Sequence, residues 1–418
     1  MVYNKQMMGG YNLHTLKTDK FKQVHVEIIF RNNIKKEEIT KRNILFDYLM
    51  EVSKNYPTRR ELEIKLEDLY NASIYNTTNR VGASIITNFC MDFINPSYTE
   101  RSILEESIKL IFDLIFNPLV KNAEFDEKTL NLIKTRLKDE INSIKENAKK
   151  HSLSEARNAL KVIPSSLSSI GYLEDIEEIS PSNLYEYYEK LLKNDYIDIY
   201  VVGNLDMDEV SKYVHKYANF NVIKIHPISL YVDNPKFKET LISKPYNYIQ
   251  TSIVAVLNLN NLTSYEKKYS AVIYNIILGG FSLESKLYKR LRNDNSLCYN
   301  VNSYYQKYDG LIYITTGVDV NSKNKAISLI KDSLRDMLHS ITDKELAQAK
   351  SYIQTSIIMS NDSLNKMVDN KFFEDISDLD DYETRLKTFR NITLDDIHEV
   401  AKKVSLGLIY TLDGGKNE

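Results

Sequence analysis

One order of elements occurs twice along this chain, and that repetition limits the available folds more tightly than any other feature of the sequence. In the first half, Val24–Phe30 (VHVEIIF) and Ala83–Ile94 show the partial alternation of β-strands. Between them, Ile44, Leu45, Tyr48, Leu49 and Val52 fall on one side of a helix. A second helix starts after Pro57, where Thr58 and Glu61 stand in capping-box spacing, and Leu62, Leu66 and Leu69 line its inner side. A long helix over Glu127–Ile144 follows, and Ile197–Val202 closes the half as a strand ended by Gly203-Asn204.

The second half repeats the pattern. Ser252–Leu257 reads as a strand, and Thr263 with Glu266 forms another capping box before a helix to Leu278. Gly279-Gly280 stops that helix. A helix with Leu283, Leu287 and Leu291 comes next, then strands Tyr299–Tyr305 and Leu311–Val318. Helices are expected over Lys325–Leu338 and Asp343–Ile357, and Leu408–Leu412 is the last strand. Matching elements lie about 210 to 227 residues apart, a duplication on the scale of a domain. The fold class expected is α+β: two homologous domains, each a mostly antiparallel sheet with helices packed on one face. The domains are read as 1–222 and 246–418, joined by a polar linker at 223–245.

Composition removes several function classes. The 418 residues carry 55 Lys+Arg against 57 Asp+Glu, a net charge of −2, so nothing favours nucleic acid or an anionic membrane as a partner. No run approaches 18 apolar residues, and Met1–Lys20 lacks the apolar core of a signal peptide. The two cysteines, Cys90 and Cys298, make no metal or redox motif, which suits a reducing, cytoplasmic setting.

Catalytic motifs are scarce. Seven histidines are present, yet none stands at the i, i+4 spacing with which two imidazoles on one helical turn hold zinc. Of these, His25 is expected on the wetter face of its strand. No nucleophile elbow, P-loop or G-x-G-x-x-G turn occurs. The Lys-rich helix around Lys134–Lys150 alternates with acidic residues and reads as a solvated face.

Against this background two phrases stand out. Tyr56-Pro57-Thr58-Arg59-Arg60-Glu61-Leu62, followed by Leu69-Tyr70-Asn71-Ala72, resembles the stretch after the zinc helix of the pitrilysin-type (inverted zincin) metallopeptidases. The likeness in order and spacing runs from about Phe21 to Gly414 and implies a processing-peptidase-like duplication. In active members the preceding helix carries H-x-x-E-H, two zinc ligands around a general base. The corresponding positions here are Asn43, Phe46 and Asp47, and the family's third ligand falls near Phe125, beside Glu124 and Glu127. None matches in type, so the resemblance implies that this chain binds no cofactor of its own.

The C-terminal half keeps a different element of the family pattern. Arg292-Asn293-Asp294-Asn295-Ser296-Leu297-Cys298-Tyr299 has the spacing of the family's substrate-holding arginine and oxyanion-stabilising tyrosine, preceded by Leu278-Gly279-Gly280-Phe281-Ser282. A guanidinium offers fixed donors to carbonyl oxygens, and a phenol donates to developing negative charge. The alternative role of Arg292 is to cap or ion-pair its own helix, with Tyr299 packed in the strand. Some bacterial members split the labour between two chains, and this sequence resembles the one without zinc. The resemblance therefore implies a peptide-processing heterodimer in which a paralogous partner brings the zinc and this chain brings Arg292 and Tyr299. The competing expectation is a catalytically inactive structural or peptide-binding member of the fold, like the core subunits of the respiratory cytochrome bc1 complex.

Overall fold

Thirteen strands and a set of helices are seen in the computed structural model, which describes residues 2–221, 227–233, 237–280 and 283–415. The strands are β1 (Val2–Met7), β2 (Asn12–Lys17), β3 (Gln23–Asn33), β4 (Ser73–Val81), β5 (Ser84–Ile94), β6 (Val120–Lys121), β7 (Glu124–Phe125) and β8 (Tyr196–Gly203). They continue with β9 (Thr240–Pro245), β10 (Thr251–Leu259), β11 (Val301–Gln306), β12 (Leu311–Val318) and β13 (Val404–Asp413). Of the helices, α1 (Lys36–Leu49), α2 (Arg59–Asp68), α3 (Ser102–Phe116), α4 (Glu127–Ser143) and α5 (Ala148–Leu160) matter most below.

The duplication holds at the level of topology. One sheet has six strands in the order β1-β2-β8-β3-β5-β4, and the other has five in the order β11-β12-β10-β13-β9. In the first, β2 runs parallel to β8 and the other neighbours are antiparallel. In the second, β9 runs parallel to β13 and the rest are antiparallel. Read from the parallel pair inward, β2-β8-β3-β5-β4 and β9-β13-β10-β12-β11 are one pattern used twice.

The capping boxes read from the sequence form as hydrogen-bonded pairs. The Thr58 side chain accepts from the Glu61 amide while Glu61 accepts from the Thr58 amide, which fixes the start of α2. Thr263 and Glu266 repeat the exchange. At the end of that second helix a Cβ on Gly280 would sit 2.8 Å from the Ile276 backbone, so only glycine lets the chain turn there.

By contact the chain divides into two units, each containing sequence from both halves. The first comprises Met1–Asn142, Ser168–Ser229 and Asp362–Asn370; the second comprises Ser143–Leu167, Leu230–Asn361 and Lys371–Glu418. Within the first, alternate residues of β3 and β5 (Val24, Val26, Ile28, Phe30; Phe89, Met91, Phe93) face α1, α3 and the helix Pro181–Asn194 in one core. Within the second, α5 lies on the sheet face that the C-terminal helices leave open, placing Ala156 and Leu160 against Val254, Val256, Tyr313 and Tyr410. A second covered face was not part of the sequence-based expectation.

Two local features also differ from expectation. Of the segment read as a linker, Thr240–Pro245 is strand β9, while residues 223–226 and 234–236 lie outside the described residues. His25 does not face water: it is buried between Glu27 and Asp92. Burial works against its charged form, but hydrogen bonds to Asp92 and Glu27 outweigh this and lift its pKa to about 9. No helix among the described residues is long and apolar enough to cross a membrane.

Candidate active-site elements

Helix α1 is held to the first sheet by a buried arginine. Arg42 donates to the Asp195 carboxylate at 2.6 Å, to the Phe30 carbonyl at 2.8 Å and to Thr87 Oγ1 at 2.7 Å. This fixes the rotation of α1 about its axis and therefore where positions 43, 46 and 47 point. Asn43 Nδ2 donates to the carbonyls of Ile39 at 2.9 Å and Ser169 at 2.8 Å. Phe46 is fully buried, its ring edge-to-face with Phe30 at 4.9 Å between centroids. Asp47 accepts from Asn76 Nδ2 at 2.9 Å.

The charges around Asp47 are mixed. Burial raises its carboxyl pKa and the Asn76 hydrogen bond partly offsets that; Glu140, Arg136 and Glu51 are the other charges it feels. Arg136 on α4 donates to Glu51 at 2.8 Å and so offsets one of the carboxylates there. Phe125 lies elsewhere in the packing: it is buried 4.5 Å from the Tyr48 ring and also touches Tyr185 and Tyr188. A primary amide committed to two carbonyls, a phenyl ring in the core and a lone carboxylate bonded to Asn76 do not make a zinc site. The residues present do not fit the metal of the active peptidases. Sequence reasoning missed Arg136 and Glu140; their i, i+4 spacing on one helix was the available signal.

The pair in the second half is brought together. Leu287 and Leu291 anchor the segment Lys286–Asn293 in the core, and a wide turn, with the Asp294 amide donating to the Lys289 carbonyl, ends it. Arg292 emerges from this turn and donates through Nη1 to the Tyr299 carbonyl at 2.9 Å. Its guanidinium carbon lies 4.7 Å from the Tyr299 ring centroid and 5.0 Å from that of Tyr288. Tyr299 precedes β11 rather than starting it, and is 82% exposed. Thr316 Oγ1 donates to the next carbonyl, that of Asn300, and fixes the entry to the strand. Neither half of the alternative reading describes this geometry: among the described residues Arg292 has no acidic partner, and Tyr299 is not packed into the sheet. Residues 281 and 282 of the preceding phrase lie outside the described residues.

Two sheets of matched topology, one packed against α1 with Asn43, Phe46 and Asp47 and the other flanked by an exposed Arg/Tyr clasp, give a metallopeptidase-like fold. The chain is similar to the pitrilysin-type (M16) peptidases: residues 178–353 match the family model described as "Peptidase M16 inactive domain". It is 26% identical, over 98% of its length and 97% of the relative's, to the Bacillus subtilis (strain 168) protein named "Probable inactive metalloprotease YmfF". A second protein of that strain, "Uncharacterized zinc protease YmxG", is 26% identical over 47% of each chain. Among solved structures, a conserved protein from Enterococcus faecalis V583 superposes with a TM-score of 0.92 at 24% identity, covering 100% of this chain and 99% of that one.

Proposed function

We propose that this chain is the zinc-less subunit of a two-chain zinc endopeptidase that processes or degrades peptides in the cytoplasm. A paralogous partner holds the zinc, and this chain clamps the extended substrate and presents Arg292 and Tyr299 to the partner's site. The carrying observation is the exposed clasp, in which Arg292 positions residue 299 by its carbonyl and leaves the phenol hydroxyl free to face a ligand. A phenol so placed donates to the oxygen that gains charge as the peptide carbonyl is attacked. The guanidinium, stacked between two tyrosine rings, keeps donors for a substrate carbonyl. Support also comes from the family, and from a strain that has both an inactive-type and a zinc-protease relative of this chain.

The test is to purify the chain alone and together with a zinc-bearing paralogue. The expected result is an inert single chain and chelator-sensitive peptide cleavage by the pair. Tyr299→Phe in the pair lowers turnover by about 10²–10³-fold, the effect of losing one such donor. Unchanged turnover refutes the role of Tyr299. A pair that stays inert with every zinc-bearing paralogue favours the second reading, a catalytically inactive structural or peptide-binding member, which the name of the full-length relative supports.

A further inference from the structure

Across β3 and β5 the register sets His25 opposite Asp92 and Glu27 opposite Cys90. Residues two apart on a strand share a face, so all four side chains project from one side of the first sheet. That side is opposite the one that Phe30 presents to Phe46 and α1. His25, Glu27 and Cys90 are almost wholly buried, and their ligating atoms lie within 4.8 Å of one another.

The geometry points to a transition-metal site of zinc type formed by His25 Nε2, a Glu27 carboxylate oxygen and the Cys90 thiolate. Three ligand atoms on a tetrahedral zinc ion are roughly 3.3–3.7 Å apart, so the cluster needs only small side-chain adjustments. His25 Nε2 is already 2.9 Å from Glu27 Oε2. Its other ring nitrogen, Nδ1, is 2.6 Å from Asp92 Oδ1. A carboxylate on the far nitrogen is the usual way a metal-binding imidazole is oriented and made more basic. Mixed nitrogen, carboxylate and thiolate donors favour zinc or cobalt over calcium or magnesium.

When the ion binds, any proton on His25 Nε2 and the Cys90 thiol proton are displaced and leave to solvent. Other polar groups on that side, among the described residues, include Tyr75 on β4, opposite Cys90, Tyr200 on β8, opposite Glu27, and Asn365 and Asp369 from the segment Asp362–Asn370. Asp92 keeps 23% of its side chain exposed, which marks the route inward. This site does not depend on the peptidase reading, and it departs from the expectation that the chain binds no cofactor of its own.

The experiment is cobalt(II) titration of the chelator-treated full chain. One equivalent should bind with a thiolate-to-cobalt charge-transfer band in the near ultraviolet. Cys90→Ser should abolish the band, Cys298→Ser should leave it intact, and Asp92→Asn should weaken binding about 10–100-fold. Should Cys90→Ser fail to fold, X-ray absorption at the cobalt edge of the wild-type chain reads the same ligand set, with one sulfur and at least one imidazole expected. No binding, a cobalt shell without sulfur, or a band that survives Cys90→Ser overturns the assignment and leaves an imidazolium held by two carboxylates.

Discussion

The rings of Phe30 and Phe46 meet edge to face with centroids 4.9 Å apart, and position 46 is the one that the sequence resemblance sets against the catalytic glutamate of active peptidases. Position 46 is therefore part of the core of the first unit and is closed to water. Phe46→Glu places a carboxylate among Phe30 and Phe89 and should cost at least about 3 kcal/mol, measured by chemical denaturation. A variant as stable as the parent would mean that α1 can rotate to expose position 46.

Restoring the motif should not restore zinc. In the triple variant Asn43→His, Phe46→Glu and Asp47→His, Arg136 still sits beside position 47 and Phe125 brings no donor. Calorimetric titration should find no tight zinc binding that depends on the new histidines. Tight binding dependent on them would show that Arg136 swings aside.

Arg292→Lys should lower activity of the assembled pair, because an ammonium cannot both bond the residue 299 carbonyl and stack broadly on two rings. Its stability should change by less than about 0.5 kcal/mol, since the contact is at the surface. Equal loss of activity and stability would reassign Arg292 to folding.

Arg42 is the buried tie of the first unit. Arg42→Ala strands Asp195 without its partner and should cost about 3–5 kcal/mol in thermal or chemical unfolding. A loss below about 1 kcal/mol would show that water reaches Asp195.

Two carboxyls make opposite contributions to stability against pH. Burial first, and then repulsion from Glu27, raise Asp369 to about 6 although His25 and Lys366 pull the other way. The folded state then keeps a proton that the unfolded chain has lost, so this group's contribution falls as pH rises from about 4 to about 6. Asp378 is depressed to about 2: burial pushes it up, but hydrogen bonds from Tyr231 and Ser264 and the charge of Lys307 prevail. Its contribution is present above about 4 and is lost as pH falls toward 2. Melting curves of Asp369→Asn and Asp378→Asn across pH should lose these two slopes, one each. Parallel curves for mutant and parent would remove the assignment.

Much of this was legible because it depends on neighbours in sequence. The capping boxes at Thr58–Glu61 and Thr263–Glu266 are four-residue devices, and both form as read. The alternation in Val24–Phe30 marked a strand, although β4, β9 and the edge strand β1 went unnoticed, since half-exposed strands lack a strong apolar alternation. His25 was misplaced because alternation shows that a residue faces away from the main core, not whether that second face is also covered. Arg136 and Glu140 were missed for a related reason: a charged helix position looks solvated until a neighbouring element is known.

The sequence by itself determined the duplicated order of elements, the family likeness and the mismatched residue types at positions 43, 46 and 47. These rest on periodicity, spacing and side-chain chemistry, all of which are local. Only the tertiary structure decided that Arg292 holds residue 299 by its carbonyl, that Arg136 occupies the charge environment of Asp47, and that His25, Glu27 and Cys90 converge. Each of these depends on strand register or helix rotation, which is set by the packing of segments far apart in the chain.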